Sequence, residues 1–164
     1  MKARILFSTL LVLFVTITFA HDKKKPSAIA IREIQTFQTV KKMIIGNNVK
    51  VILVADNDYP FLTLTGDASL LQSVNVSTKG EELEITSFKN LKDKKILFHV
   101  PVKDLAYMEL KTGSELSVQG YIPCSNLLVV VNADAHLALK YKGKATIKAA
   151  DECEVVYEKQ EILL

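Results

Sequence analysis

Apolar and polar residues alternate along most of the chain beyond residue 40. Four segments show this best: Val49, Val51 and Leu53; Leu62 and Leu64; Leu83 and Ile85; and Ile96, Phe98 and Val100. A period of two places these side chains on one face of a β-strand, so the pattern predicts strands with one buried face. Segments rich in Gly, Asn and Asp separate the strands and predict turns at residues 46–48, 56–58, 79–81, 90–94 and 113–114.

One segment departs from the alternation. Asp67 precedes Leu70, Leu71 and Val74 at helical spacing, and Asp is a favoured residue at a helix N-terminus. We therefore expect an all-β chain with at most one short helix.

Beyond Leu105 a degenerate repeat is superimposed on the alternation. An apolar residue, a polar residue, two or three small residues, a polar residue and an apolar residue recur in Leu110–Leu116, Val131–Leu137 and Ile147–Cys153, at offsets of 21 and 16 residues. Repeats of this size are typical of solenoids, in which small residues form tight corners and apolar residues build an interior column. A series of unrelated hairpins would look similar. We favour stacked parallel β-coils because three segments agree.

The first 20 residues have the pattern of a secretory signal peptide. Lys2 and Arg4 precede an apolar run from Ile5 to Phe19, and a small residue, Ala20, ends the segment. The alternative is a membrane anchor, but the run is shorter than the roughly 20 residues that span a bilayer. We predict cleavage after Ala20, a flexible charged tail over residues 21–30, and one domain over residues 31–164. No later segment is long enough for a stable transmembrane span.

Charge and cysteine content narrow the class of function. The chain has 21 basic and 18 acidic side chains, and the predicted signal removes Lys2 and Arg4, so the exported domain is almost neutral. Without a basic stripe interleaved with aromatic residues, nucleic acid is not an expected partner. Export permits a disulfide between Cys124 and Cys153, but two buried, inert thiols are the alternative that we favour. The cysteines and histidines do not cluster as in a zinc site, and we predict no cofactor.

From about Phe37 to Tyr157 the sequence resembles the putative auto-transporter adhesin, head GIN domain family of exported bacterial proteins. The similarity is clearest in Phe37–Val54, Phe61–Thr86 and Lys94–Val118, including the Val100-Pro101 step into the repeats. The resemblance implies stacked parallel β-coils similar to a right-handed β-helix. It also implies residence in the periplasm, at the outer membrane or on the surface of a Gram-negative cell. Family corners commonly read Gly-Ser-Gly; here the later corners contain Ala and Asp.

Two polar constellations follow from the repeat. Ser114, Asp134 and His136 fall in neighbouring segments and contain the residue types of an acyl-transfer triad, but Ser and Asp are also ordinary turn residues. The same alignment stacks Glu115, His136 and Glu152, which would favour a protonated imidazole. We predict no catalytic or metal-binding residues. Residues 56–58 (Asp-Asn-Asp) lack the remaining elements of a calcium loop.

These observations support two functional hypotheses. The first is a non-enzymatic surface or cell-envelope domain that binds a glycan or an envelope protein. The second is a structural component that associates with copies of itself through open coil ends or sheet edges. A carbohydrate-active enzyme is a remote third hypothesis, since no pair of carboxylates stands out in the sequence.

Overall fold

The computed structural model describes residues 29–34, 39–55, 61–89, 91, 96–103 and 105–160. The strands are β1 (Ile29–Ile34), β2 (Lys42–Ile45), β3 (Lys50–Ala55), β4 (Leu62–Asp67), β5 (Val74–Lys79), β6 (Glu82–Ser87), β7 (Ile96–Val100), β8 (Tyr107–Leu110), β9 (Glu115–Gln119), β10 (Ile122–Val131), β11 (His136–Ala149) and β12 (Glu154–Gln160), and the helix is α1 (Ala68–Leu71). The predicted signal peptide, residues 21–28 of the predicted tail, the 56–58 turn and all of the 90–94 turn except Leu91 lie outside the described residues. β1 begins at Ile29, so residues 29 and 30 of the expected tail belong to a strand.

The described strands form one curled sheet in the order β1-β4-β7-β3-β9-β11-β10-β8-β2-β6-β5, with β12 beside β11. β11 connects the two halves of the sheet. Its first residues pair with β9 and β12, whereas residues 141–143 and 145–149 pair with β10. We call β1, β4, β7, β3 and β9, together with β12 and the start of β11, the first half. The second half consists of the end of β11, β10, β8, β2, β6 and β5.

Alternate side chains of both halves point into one apolar core. All the apolar residues singled out by the period of two are buried, among them Phe98, which is fully enclosed. The all-β prediction is therefore confirmed. The predicted helix is confirmed too: Asp67 accepts a hydrogen bond from the Ser69 amide at 2.9 Å.

Four short corners carry the chain from one strand to the next between the halves. They are residues 46–49, 111–114, 132–135 and 150–153, and hydrogen bonds link neighbouring corners: Asn48 to Thr112, Gly113 to Ala133 and Asp134 to Glu152. The sequence predicted only the last three as repeats. The segment around Asn48, expected to be a simple turn, is an equivalent corner, since Ile45 pairs with Leu110 and Val51 pairs with Leu116.

The predicted register of the third repeat is wrong by two residues. Val131 pairs with Ala149, and Leu137 pairs with Val155, so the third segment is 149–155 and its offset is 18. A shift of two residues keeps every side chain on its face of a strand, so alternation in the sequence does not distinguish the two alignments.

As expected for stacked coils, all the pairs that β2, β3 and β6–β12 form with one another are parallel. The pairs β1–β4, β4–β7 and β5–β6 are antiparallel. The uniform parallel arrangement expected from the resemblance therefore does not extend to β1 and β5. These are the two outermost strands of the sheet, and its curl brings them to the same end of the core.

At that end the core is covered. Leu70 and Leu71 of α1 are buried, and the helix contacts β1 and β4. The Arg32 guanidinium on β1 donates a 3.1 Å hydrogen bond to the carbonyl of Val74 on β5, which connects the two halves. We call this the capped end.

Candidate functional site

An open groove of about 960 Å³ lies beside the corners, on the outward face of the first half. We call it the corner groove. Its rim contains Asn48, Thr112, Gly113 and Asp134 from three corners. Two rows of side chains follow. The first row has one residue from each of β3, β9, β11 and β12, namely Lys50, Glu115, His136 and Glu154, and the second has one from each of β9, β11 and β12, namely Ser117, Ala138 and Val156.

The rim residues have the same backbone conformation. The φ angles of Asn48, Gly113 and Asp134 are 56°, 67° and 56°. This left-handed region suits Gly, and Asn and Asp tolerate it better than other residues do. Asn48 and Asp134 therefore occupy corner positions equivalent to Gly113 and add polar side chains to the rim.

The charged row contains two close contacts between a basic and an acidic side chain. Lys50 Nζ lies 2.6 Å from Glu115 Oε2, and His136 Nδ1 lies 3.0 Å from Glu154 Oε2. The Lys50–Glu115 pair is about three-quarters buried, whereas more than half of each side chain in the His136–Glu154 pair is exposed. The expected neighbour relation between Glu115 and His136 is confirmed. The expected third member, Glu152, is wrong: it lies in the corner, and Glu154 takes its place.

The second row forms a floor of small and apolar side chains. Ser117 lies opposite Ile52 on one side and opposite Ala138 on the other, and Ala138 lies opposite Val156. Val156 is 61% exposed. The groove therefore offers hydrogen-bonding and charged groups along one side and an apolar surface along the other.

The structure does not assemble the triad suggested by the repeat. Ser114 is fully buried, and its hydroxyl donates a 2.6 Å hydrogen bond to the carbonyl of Lys111 in the same corner. Asp134 and His136 face the groove from the other side of the corner. Ser114 thus stabilises the corner and does not present its oxygen to the groove.

Other polar residues considered from the sequence have partners elsewhere. Glu81 and Glu82 form ion pairs of 2.6 and 2.8 Å with Lys41 and Lys42. His99 lies on the outward face of β7, opposite Val54 and Thr63. Within the described ranges no group of three or more His, Cys, Asp and Glu side chains is arranged to hold a metal ion.

Both cysteines are free thiols. Cys124 is buried on β10 opposite Gly143 of β11, with Sγ 3.5 Å from the carbonyl of Lys144, and burial raises the pKa of this thiol. Cys153 is partly exposed in the last corner, and its Sγ lies 2.9 Å from the carbonyl of Ala150.

Sequence reasoning missed a second polar cluster, farther along the first half. The Tyr121 hydroxyl donates a hydrogen bond to Glu158, and Lys140 Nζ lies 2.9 Å from the same carboxylate. The hydrogen bond from Tyr121, followed by that from Lys140, lowers the pKa of Glu158. Tyr121 and Glu158 are 37 positions apart, and only the strand register brings them together.

Solved structures with a similar fold include two putative adhesins. A putative adhesin from Parabacteroides distasonis superposes with a TM-score of 0.59 at 14% identity, over 78% of this chain and 56% of its own. A putative adhesin from Parabacteroides merdae gives a TM-score of 0.56 at 13% identity, over 76% and 52%. This chain therefore spans about half the length of either structure, and the similarity concerns the fold. No curated protein is significantly similar in sequence.

No helix within the described part of the chain is long and apolar enough to cross a membrane. The sequence pattern of one protein family matches residues 37–157, which includes every corner and both rows of the groove. The chain belongs to the family described as putative auto-transporter adhesin, head GIN domain.

Proposed function

We propose that this protein is an exported, non-enzymatic binding module, and that the corner groove binds a glycan or an envelope protein. The observation that carries the proposal is the composition of the groove. Rim residues Asn48, Thr112 and Asp134 supply donors and acceptors, and the floor supplies apolar contact. Sites for small ligands commonly combine a few fixed polar groups with apolar surface in a cleft of roughly 300–1,000 Å³.

The rigidity of the rim supports this function. Each rim residue lies in a corner whose backbone is hydrogen-bonded to the next corner. The polar groups are therefore held at a fixed spacing before a ligand binds. A preorganised site loses little conformational entropy on binding. Hydroxyl-rich ligands, which accept and donate hydrogen bonds along an extended chain, suit such a repeated row.

The proposed architecture beneath the groove is a stack of β-coils. Each coil would consist of a strand of the second half, a corner and a strand of the first half, as in β2, residues 46–49 and β3. Stacked coils provide extended binding surfaces because equivalent side chains recur in each turn. The coil interpretation is supported by the hydrogen bonds between successive corners.

Export is the second part of the proposal. It is supported by the signal-like first 20 residues and by the adhesin family. N-terminal sequencing of the protein recovered from the cell envelope should begin at His21. Recovery with Met1 retained would contradict cleavage.

The binding test uses matched variants of the groove. The purified protein is screened against a panel of glycans and extracellular and envelope proteins, and each hit is repeated with Asp134→Asn and His136→Gln. Asp134→Asn preserves the tolerance for positive φ while removing the charge. Affinity should fall at least about tenfold for the double variant.

The control is Ser77→Ala, at an exposed outward position of β5 in the second half, which should bind as the wild type does. Loss of binding in the control alone would place the site elsewhere. Failure of the wild-type protein to bind any member of the panel would contradict the proposed function. Release of sugar fragments during the glycan incubations would contradict the non-enzymatic assignment.

A further inference from the structure

The two ends of the apolar core differ in how they are covered. The capped end is covered by α1 and by the antiparallel strands β1 and β5. At the other end, β12 and the last residues of β11 each have a strand on one side only, among the residues that the structure describes. We call the surface formed by residues 143–160 the open end.

At the open end, apolar inward-facing positions become exposed. Leu139 is 1% exposed, but Tyr157, which lies opposite it on the inward face of β12, is 61% exposed. Leu137 is 2% exposed, whereas Val155 beside it is only partly buried. Inward side chains at the edge of a stack are ordinarily covered by a further coil or by a cap.

The two edge strands of the open end carry opposite charges. The outward positions of β11 beyond Tyr141 are Lys142, Lys144, Thr146 and Lys148, all of them exposed. The outward positions of β12 are Glu154, Val156, Glu158 and Gln160. One edge is therefore basic and the other acidic.

We propose that the open end binds the open end of a second copy of this chain, in a two-fold dimer that pairs β12 of each copy with β11 of the other. β11 ends and β12 begins at the same corner, so a two-fold axis parallel to the strands sets the start of β12 beside the end of β11 from the other copy. The strands then run antiparallel. Both free edges gain backbone partners, and the contact is the same from either side, as a two-fold interface requires.

One register satisfies both faces of this pairing. The outward pairs are Glu154 with Lys148, Val156 with Thr146 and Glu158 with Lys144 of the second copy, and the inward pairs are Val155 with Ile147 and Tyr157 with Ala145. Opposite charges meet on the outside, and apolar side chains of unequal size meet inside. In the other two-fold arrangement, β12 would face β12 and Glu154 would face Glu158, with lysines opposed on β11. Like charges directly opposite each other disfavour that arrangement.

His136 and Lys140 already contact Glu154 and Glu158 from within the same copy. In the dimer, Glu154 lies between His136 of its own chain and a lysine of the other, and Glu158 lies between Lys140 of its own chain and a lysine of the other. The inference does not depend on ligand binding in the corner groove, and the dimer experiment below contains no ligand.

The test measures association by sedimentation from micromolar to millimolar concentration. The wild type should form dimers, and Lys144→Glu/Lys148→Glu should raise the dissociation constant at least about tenfold. Lys79→Glu/Lys103→Glu changes net charge equally, at exposed positions away from the open end, and should leave it unchanged. Melting temperatures show whether each variant is folded.

A charge swap makes the test specific. Glu154→Lys/Glu158→Lys should also dissociate, whereas an equimolar mixture of the two charge-reversed proteins should restore the dimer, since each interface then again pairs Glu with Lys. Wild-type protein that stays monomeric throughout, or dimers insensitive to both reversals, would overturn the proposal. Dimers that form only after deletion of residues 161–164 would overturn it too, because the chain's own C-terminus would then occupy the open end.

Discussion

The imidazole of His136 and the carboxylate of Glu154 lie 3.0 Å apart, on adjacent parallel strands. The sequence repeat had matched His136 with Glu152. The contact with Glu154 follows from the register between β11 and β12, and the same register sets the order of polar side chains along the corner groove and the free edge of the open end. The proposed binding site and the proposed dimer both depend on this alignment.

Gly143 should be the least replaceable glycine of the described chain. Its φ is +121°, and a Cβ built there would lie 1.9 Å from the carbonyl oxygen of Cys124. Gly143→Ala should destabilise the fold by about 4 kcal/mol or more, because backbone atoms of β10 would have to move. Urea denaturation followed by circular dichroism measures the change in unfolding free energy.

The matched control is Gly80→Ala. Gly80 also has a positive φ, +62°, but nothing lies within 4 Å of the added Cβ. That variant should lose only the conformational cost of about 1–2 kcal/mol. Equal losses at both sites would contradict the proposed clash with Cys124.

Ser114 should behave as a structural residue. Ser114→Ala removes the hydrogen bond to the Lys111 carbonyl and should lower the unfolding free energy by about 1 kcal/mol. Since the hydroxyl does not face the groove, ligand affinity per folded molecule should not change. Loss of a reaction or of binding with unaltered stability would instead support the triad and contradict the buried position of Ser114.

The Tyr121–Glu158–Lys140 cluster should be detectable by pH titration. The pKa of Glu158 is lowered first by the hydrogen bond from Tyr121 and then by Lys140. Tyr121→Phe should therefore raise the pKa of Glu158 towards its ordinary value, which carboxyl NMR chemical shifts measure directly. Tyr157→Phe, which removes a hydroxyl from the same strand as Glu158, is the control and should leave this pKa unchanged.

The sign of the stability effect follows from the lowered pKa of Glu158. A carboxyl group whose folded pKa lies below its unfolded value stabilises the fold above the unfolded value, and this contribution disappears as the pH falls through the folded pKa. Wild type and Tyr121→Phe should therefore differ in stability at neutral pH and converge in acid. A difference that grows on acidification would contradict the assigned cause.

The two thiols should react at different rates. Cys124 is 7% exposed, and burial raises the pKa of its thiol, so little thiolate is available at pH 8. Cys153 is partly exposed in the last corner. Ellman's reagent should modify Cys153 faster by on the order of tenfold or more, in dilute protein where the open end is free.

Cys153→Ser should remove the fast phase of that reaction and leave the slow phase. Two equally fast phases in the wild type would contradict the burial of Cys124. Slower modification of Cys153 at high protein concentration is the result expected if the open end is covered by a second copy.

Much of the local structure followed from the sequence. Phe98 and its neighbours alternate with polar residues, and a half-buried strand is the structure that this period favours. Asp67 before Leu70 predicted the helix N-terminus, because a carboxylate there accepts a free backbone amide. The repeated small residues predicted stacked corners, although Asn48 was missed because its corner precedes the repeats by a long insertion.

The sequence determined that this is a β-rich chain, which side chains face the core, where several turns fall and which family it belongs to, because these properties depend on local periodicity and on motifs. Tertiary structure decided the register of β12, the burial of Ser114, the contact between Tyr121 and Glu158, and the difference between the capped and open ends. Strands that are far apart in sequence can slide by two residues without exchanging faces. Only their packing around a shared core selects one alignment.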